Sequence, residues 1–293
     1  MSQKIKIGIF DSGLGGLTVL KSISSQFRDQ VSFIYVGDLA HLPYGDKSRE
    51  SIIKYSENIC KFLIAQKVDM IIIACNSASS VAGNHLIKKY SNKIIIDTIK
   101  PSTINVMRHI DSQNRSNFES KLKYNLGIIG TEATINSNSY KNHIIKEFES
   151  TFKGIDLTIE SVACPLFVPI VEEGWENTDV AYQIATKYIS KFNNKLDSII
   201  LGCTHYPIII NTLKKVFNKL GHNNLFYIDS GLAIANYIKK IKFDQVNLNN
   251  QQGNNSLLSN EDKFYVTDNS AHFNNLASRL LDEKINYINL LSL

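Results

Sequence analysis

Two segments of this chain carry nearly the same pattern: Val68-Asp69-Met70-Ile71-Ile72-Ile73-Ala74-Cys75-Asn76 and Leu196-Asp197-Ser198-Ile199-Ile200-Leu201-Gly202-Cys203-Thr204. Each runs from an Asp through an aliphatic stretch to a small residue, a Cys and a small polar side chain. Runs bounded in this way read as strands buried on both faces. A second pair precedes them. Ile7-Gly8-Ile9-Phe10-Asp11-Ser12 and Leu126-Gly127-Ile128-Ile129-Gly130-Thr131 both read as a strand containing Gly that ends in small hydroxyl-bearing residues. Gly8 and Gly127 are 119 positions apart, and Cys75 and Cys203 are 128 apart. One loop absorbs such a difference, so the repeat predicts two related halves, each with a cysteine at an equivalent strand end.

Along the rest of the chain, aliphatic runs alternate with amphipathic stretches. Residues 5–10, 31–36, 70–74 and 94–96 read as buried parallel strands, with helical patterns such as 50–67 between them. Residues 126–129, 157–162 and 198–201 form a second series. The fold class that fits is α/β: two similar doubly wound, mainly parallel sheets, with sites at the carboxyl ends of strands and a cleft between the halves. The helical stretch beginning at Pro101 opens the second half. The expected division is residues 1–99 plus 209–293 for a discontinuous first domain and 100–208 for the second. Phe226-Tyr227-Ile228-Asp229 and Phe264-Tyr265-Val266-Thr267 are expected to return to the first sheet and complete it. Residues 247–262, dominated by Asn, Gln and Ser, read as a surface loop without chemistry.

At 293 residues and 43% hydrophobic, the chain can bury one or two ordinary cores. Net charge is +5, but the lysines are scattered, with no run of five basic residues and no interleaved aromatics, which argues against a nucleic-acid partner. The opening apolar run is too short and interrupted for a signal peptide, and no segment approaches a membrane span. Four cysteines without Cys-x-x-Cys spacing suggest reduced thiols in a cytoplasmic protein. Seven histidines without a His-x-x-x-His companion give a metal no support.

Two thiols facing each other across a small molecule can take a proton from one side of a carbon and return it to the other, which inverts a stereocentre. The alternative for each is a small buried hydrophobe, the common fate of a free Cys. Cys75 and Cys203 both follow a strand where a helix should begin, and a helix N-terminus favours a thiolate. Cys60, inside a helical pattern, reads as core, and Cys164, directly before Pro165, as a neighbour that does not act. Gly13-Leu14-Gly15-Gly16 permits a tight turn into a helix whose first N–H groups face an anion. A dinucleotide site is the rival reading, with Asp38 in the place of a ribose-binding acid. Thr18 stands where the third fingerprint Gly belongs, and Asp11 would repel a pyrophosphate.

Taken in order, Phe10-Asp11-Ser12-Gly13-Leu14-Gly15-Gly16-Leu17-Thr18, Gly37-Asp38 with Pro43-Tyr44-Gly45, Ala74-Cys75-Asn76-Ser77-Ala78-Ser79, Gly130-Thr131-x-x-Thr134, Pro165-Leu166-Phe167-Val168-Pro169 with Glu172-Glu173-Gly174, Gly202-Cys203-Thr204-His205-Tyr206-Pro207 and Phe264-Tyr265-Val266-Thr267-Asp268 resemble the signatures of the glutamate racemases, in the aspartate/glutamate racemase superfamily. The resemblance covers nearly the whole chain. It implies cofactor-independent racemisation of glutamate, supply of D-glutamate for peptidoglycan, and a homodimer. It also implies that Asp11 assists Cys75 on the D-isomer, that His205 assists Cys203 on the L-isomer, and that Tyr44 and Gly45 clamp the distal carboxylate. Asp38, Pro43 and Glu172 match further motif positions in supporting roles. An acidic amino acid carries two carboxylates and an ammonium, so N–H and hydroxyl donors are needed at two poles. Ser12, Asn76, Ser77, Thr131, Thr134 and Thr204 are candidates, and no Arg or Lys falls inside these motifs. Ser77 stands where the family frequently has Thr. His41 stands where it often has Arg, which affects a peripheral contact to a loop or an adjacent subunit. An aspartate racemase of the same superfamily, a non-catalytic binding protein for acidic amino acids and a nicotinamide-dependent oxidoreductase are the alternatives.

Overall fold

The computed structural model describes residues 4–116, 123–243, 256–268, 270–285 and 287–293. Its strands are β1 (Ile5–Asp11), β2 (Val31–Gly37), β3 (Met70–Ile73), β4 (Ile94–Ile96), β5 (Lys123–Gly130), β6 (Asp156–Ala163), β7 (Ser198–Gly202), β8 (Phe226–Asp229), β9 (Lys263–Val266) and β10 (Ile288–Leu290). They form two sheets in the orders β10-β9-β2-β1-β3-β4 and β6-β5-β7-β8. Every pairing is parallel. Setting β2-β1-β3-β4 over β6-β5-β7-β8 matches β1 with β5 and β3 with β7, the pairs that the repeated sequence implies. The first sheet carries β9 and β10 as additional strands.

Both faces of each sheet are covered, as parallel strands require. On one face of the first sheet Ile7, Ile9, Phe33 and Tyr35 pack with helix Leu17–Phe27. On the other, Phe10, Ile34, Val36 and Ile71 pack with Ile52, Ile59 and Leu63 of helix Arg49–Ala65. In the second sheet, Ile129, Ile199 and Leu201 face one core, while Leu126, Ile128 and Ile200 face another that includes Val106, Tyr140 and Ile144. Successive strand residues point to opposite faces, so a continuous aliphatic run supplies two cores at once.

Two expectations change. Phe226–Asp229 does not return to the first sheet: it pairs with β7 as the edge of the second, in the place β4 holds in the first. A crossover through helix Ile210–Lys219 sets β8 beside β7, and nothing in a four-residue apolar run reveals which sheet will take it. The chain crosses back only with helix Ser230–Ile238, whose Ile234, Ala235 and Ile238 join the first core. Phe264 and Val266 do lie in the first sheet, joined there by β10, which is too short to carry a period. Of the stretch read as a plain surface loop, 247–255 lies outside the described residues. Its far end is anchored, because the buried Asp262 accepts the N–H of Phe33 at 2.8 Å. Among the described residues no helix is long and apolar enough to cross a membrane.

Gly202, the last residue of β7, lies against β5: a Cβ there would stand 2.6 Å from the carbonyl oxygen of Ile129. Backbone cannot move aside as a side chain can. Gly202→Ala should therefore destabilise the fold by about 1–3 kcal/mol, read as a lower denaturant midpoint with an unchanged slope.

Candidate active site

In an open parallel sheet, the crevice for a ligand lies at the carboxyl ends of strands where the winding direction reverses. That point falls between β1 and β3 in one sheet and between β5 and β7 in the other. Asp11 ends β1 and Ser12 follows it, Cys75 follows β3, Thr131 follows β5 and Cys203 follows β7. The two crevices meet in one pocket lined by Ser12, Leu42, Pro43, Tyr44, Gly45, Cys75, Asn76, Ser77, Thr131, Val168, Cys203, Thr204 and His205. Its cavity is about 20 Å³, room for about one water. A hollow of about 220 Å³ adjoins it, sharing Pro43, Gly45, Thr131 and Val168. A larger hollow, about 770 Å³, is lined by segments around Ile94–Ile96 and His143 and contains neither cysteine, so chemistry and not size identifies the site.

Cys75 caps the helix Asn76–Lys89, its sulfur accepting the N–H of Ala78 at 3.4 Å and lying 3.8 Å from the Ser12 hydroxyl. Those contacts favour a thiolate, as expected of a helix N-terminus, but they do not decide the outcome. Burial and the negative charge of Asp11 push the Cys75 thiol up to about 12. After Cys203 no helix begins at once: Thr204 to Ile209 form a turn and the next helix starts at Ile210. Its partner is a side chain instead. The sulfur of Cys203 lies 3.7 Å from Nδ1 of His205, whose Nε2 lies 2.7 Å from Oε1 of Glu172. Burial by itself would lower the His205 pKa. The hydrogen bonds and charges of Cys203 and Glu172 outweigh it and hold the imidazole well above the usual histidine range.

Asp11 is fully buried behind the pocket wall. Burial raises its carboxyl above the usual range, opposed by the charge of His205, by N–H groups of Gly13 and Gly16, and by the Thr204 hydroxyl, which donates at 3.3 Å. The glycine turn thus holds an anion, but that anion is the Asp11 carboxylate itself. A Cβ on Gly15 would collide with the Thr204 hydroxyl and stand 2.6 Å from Nδ1 of His205. No pyrophosphate fits where a methyl group cannot, which removes the dinucleotide reading.

The remaining predicted residues divide into lining and support. Ser77 and Thr131 line the pocket and bond each other across the cleft at 2.8 Å. Thr134 lies behind, its N–H and hydroxyl bonded to Thr131. Tyr44, Pro43 and Gly45 form one wall, and the Tyr44 hydroxyl donates to the buried Asp38 at 2.5 Å. Asp38 also accepts from Thr267 at 2.8 Å and pairs with Nδ1 of His41 at 2.9 Å. His41, expected at a peripheral contact, belongs to this cluster and stacks on Tyr55. Cys60 lies in the core between the first sheet and helix Arg49–Ala65, and Cys164 lies with Cys203 in a core of the second sheet.

Several contributors escaped the sequence reading. Arg279 reaches from the last helix to the Val171 carbonyl at 3.2 Å, one residue before Glu172. The side chain of Asn76 is held by Tyr140 and Ser230. All are long-range contacts between ordinary polar residues, with no local pattern that could have pointed to them.

The family model for Asp/Glu/Hydantoin racemase matches residues 7–238. A glutamate racemase of Hydrogenobaculum sp. is 37% identical, the match covering 99% of this chain and 98% of that protein. One from Sulfurihydrogenibium sp. is 39% identical, covering 98% and 99%. Among solved structures, the glutamate racemase from Francisella tularensis in complex with D-glutamate superposes with a TM-score of 0.79 at 34% identity, covering 98% of this chain and 97% of that one.

Because only the thiolate is nucleophilic, alkylation of Cys75 in the free protein should accelerate about tenfold per pH unit from about pH 7 to about pH 9 without a plateau. Peptide mass spectrometry after timed iodoacetamide labelling measures it. Levelling off near neutral pH would show a thiolate held by interactions stronger than those described.

Proposed function

The chain belongs to the Asp/Glu/Hydantoin racemase family, and on that footing we propose that it interconverts L- and D-glutamate with Cys75 and Cys203 as the two bases. One observation carries the reading: the cysteines end equivalent strands of two sheets and line one pocket. The relatives named glutamate racemase support the substrate.

In this mechanism one cysteine, as the thiolate, takes the α-proton and the bonding pair stays on the α-carbon, delocalising into the α-carboxylate. The opposite thiol then delivers its proton to the other face. The protein ends with the two sulfurs exchanged in protonation, ready for the reverse reaction. Cys203 acts on the L-isomer with His205, whose two ring nitrogens face Cys203 and Glu172. With both as donors the ring is an imidazolium, placed beside the sulfur that takes the proton. Glu172 fixes the orientation of that ring. Cys75 acts on the D-isomer. Its thiol, pushed up to about 12, is the protonated partner that delivers the proton when L-glutamate is consumed. Asp11 lies within electrostatic reach of both Cys75 and His205. Ser12, Asn76, Ser77, Thr131 and Thr204 supply neutral donors to the carboxylates, with Tyr44 and Gly45 at the distal end. Preorganised donors in a closed site stabilise the charge that builds on the α-carboxylate. The same reading carries a homodimer in the cytoplasm that supplies D-glutamate for peptidoglycan.

Mirror-image isomers have equal free energies, so kcat/KM must be equal in the two directions, and loss of either thiol must lower both. Cys75→Ala and Cys203→Ala should each cut racemisation by about a hundredfold or more. In deuterated water each variant should still wash α-deuterium into one isomer without inverting it: the D-isomer for Cys203→Ala and the L-isomer for Cys75→Ala. Racemisation by either variant at near wild-type rate overturns the two-base reading. Faster exchange of aspartate than of glutamate overturns the substrate.

Glu172→Gln keeps the shape beside His205 but removes the charge that helps hold the ring protonated. Turnover from L-glutamate should fall about tenfold or more and its pH profile should change. An unaltered profile would remove Glu172 from the relay.

A further inference from the structure

Asn76 opens the helix after Cys75, is 2% exposed and lines the pocket. Its amide is held from two sides. Oδ1 accepts the hydroxyl proton of Tyr140 at 2.6 Å, and Nδ2 donates to the Ser230 hydroxyl at 3.3 Å. Tyr140 belongs to helix Ser139–Thr151 of the second half and is fully enclosed, with Thr98 Oγ1 3.1 Å from its oxygen. A phenol has one proton to give. With that proton on Asn76, the Tyr140 oxygen accepts from Thr98.

A primary amide presents an acceptor at one end and two donors at the other, and which end faces a ligand depends on its neighbours. If the Asn76 amide were turned over, its oxygen would face the pocket and repel a carboxylate. We propose that Tyr140 is a positioning residue that sets the polarity of the Asn76 amide, so that the second N–H on Nδ2 is free to meet a substrate carboxylate. The inference rests on the glutamate reading above. Tyr140 and Asn76 belong to opposite halves, so the donor is oriented only when the halves are together.

Tyr140→Phe keeps the ring in its core and removes the proton that holds Oδ1. KM should rise about tenfold for both L- and D-glutamate, with kcat within about threefold, because the thiols are untouched. The effect should vanish in an Asn76→Ala background, since a residue that acts through another has nothing to add once that partner is gone. Thr98→Val leaves the Tyr140 phenol in place but releases its hydroxyl. It should give a smaller rise in KM, about threefold, also absent in Asn76→Ala, and it decides the matter if Tyr140→Phe does not fold. An unchanged KM in the single variants, or effects that add to Asn76→Ala, overturns the inference alone. A wild-type protein that racemises no glutamate overturns both the inference and the reading beneath it.

Discussion

The Gly13–Gly16 turn of one half meets Thr204 and His205 of the other so closely that a methyl group on Gly15 would strike both side chains. Much of the centre of the molecule depends on that approach. It brings the Asp11 carboxylate within reach of the Thr204 hydroxyl, closes the space a larger anion would need, and joins the crevices of two sheets into a single pocket. A buried carboxylate without partners would be costly. Here the turn's own N–H groups and the facing hydroxyl satisfy it, so the interface that forms the site also stabilises a fully buried carboxylate.

The scaffold is nearly symmetric and the chemistry is not. β3 and β7 occupy equivalent places and end in equivalent cysteines, yet one sulfur caps a helix beside a serine and the other faces a histidine backed by a glutamate. At Cys75, burial and the charge of Asp11 overcome the helix N-terminus. At Cys203, hydrogen bonding outweighs burial for the neighbouring His205. In the two-base mechanism proposed above, side chains of one handedness handle two mirror-image ligands, and unequal equipment on the two faces suits that task.

Much of the site was legible because its residues sit immediately after apolar strands, where local spacing carries meaning. Ser12, Cys75, Asn76, Ser77, Thr131, Cys203, Thr204 and His205 all reach the pocket from such positions. Thr134, Asp38 and Glu172 proved to stand one contact behind it, because a motif specifies residues and not the direction in which each side chain points. Tyr140 and Arg279 carried no local signal, since their partners lie far away in the chain.

The alternation of aliphatic runs and amphipathic stretches determined a doubled parallel α/β fold, and the repeat determined that two cysteines end equivalent strands. Both follow from short-range periodicity, which is written in consecutive residues. Which sheet receives Phe226–Asp229, which way the Asn76 amide points and which cysteine gains an imidazole were decided only by the tertiary structure. Each depends on a meeting of segments distant in sequence, and a pairing of that kind has no period to read.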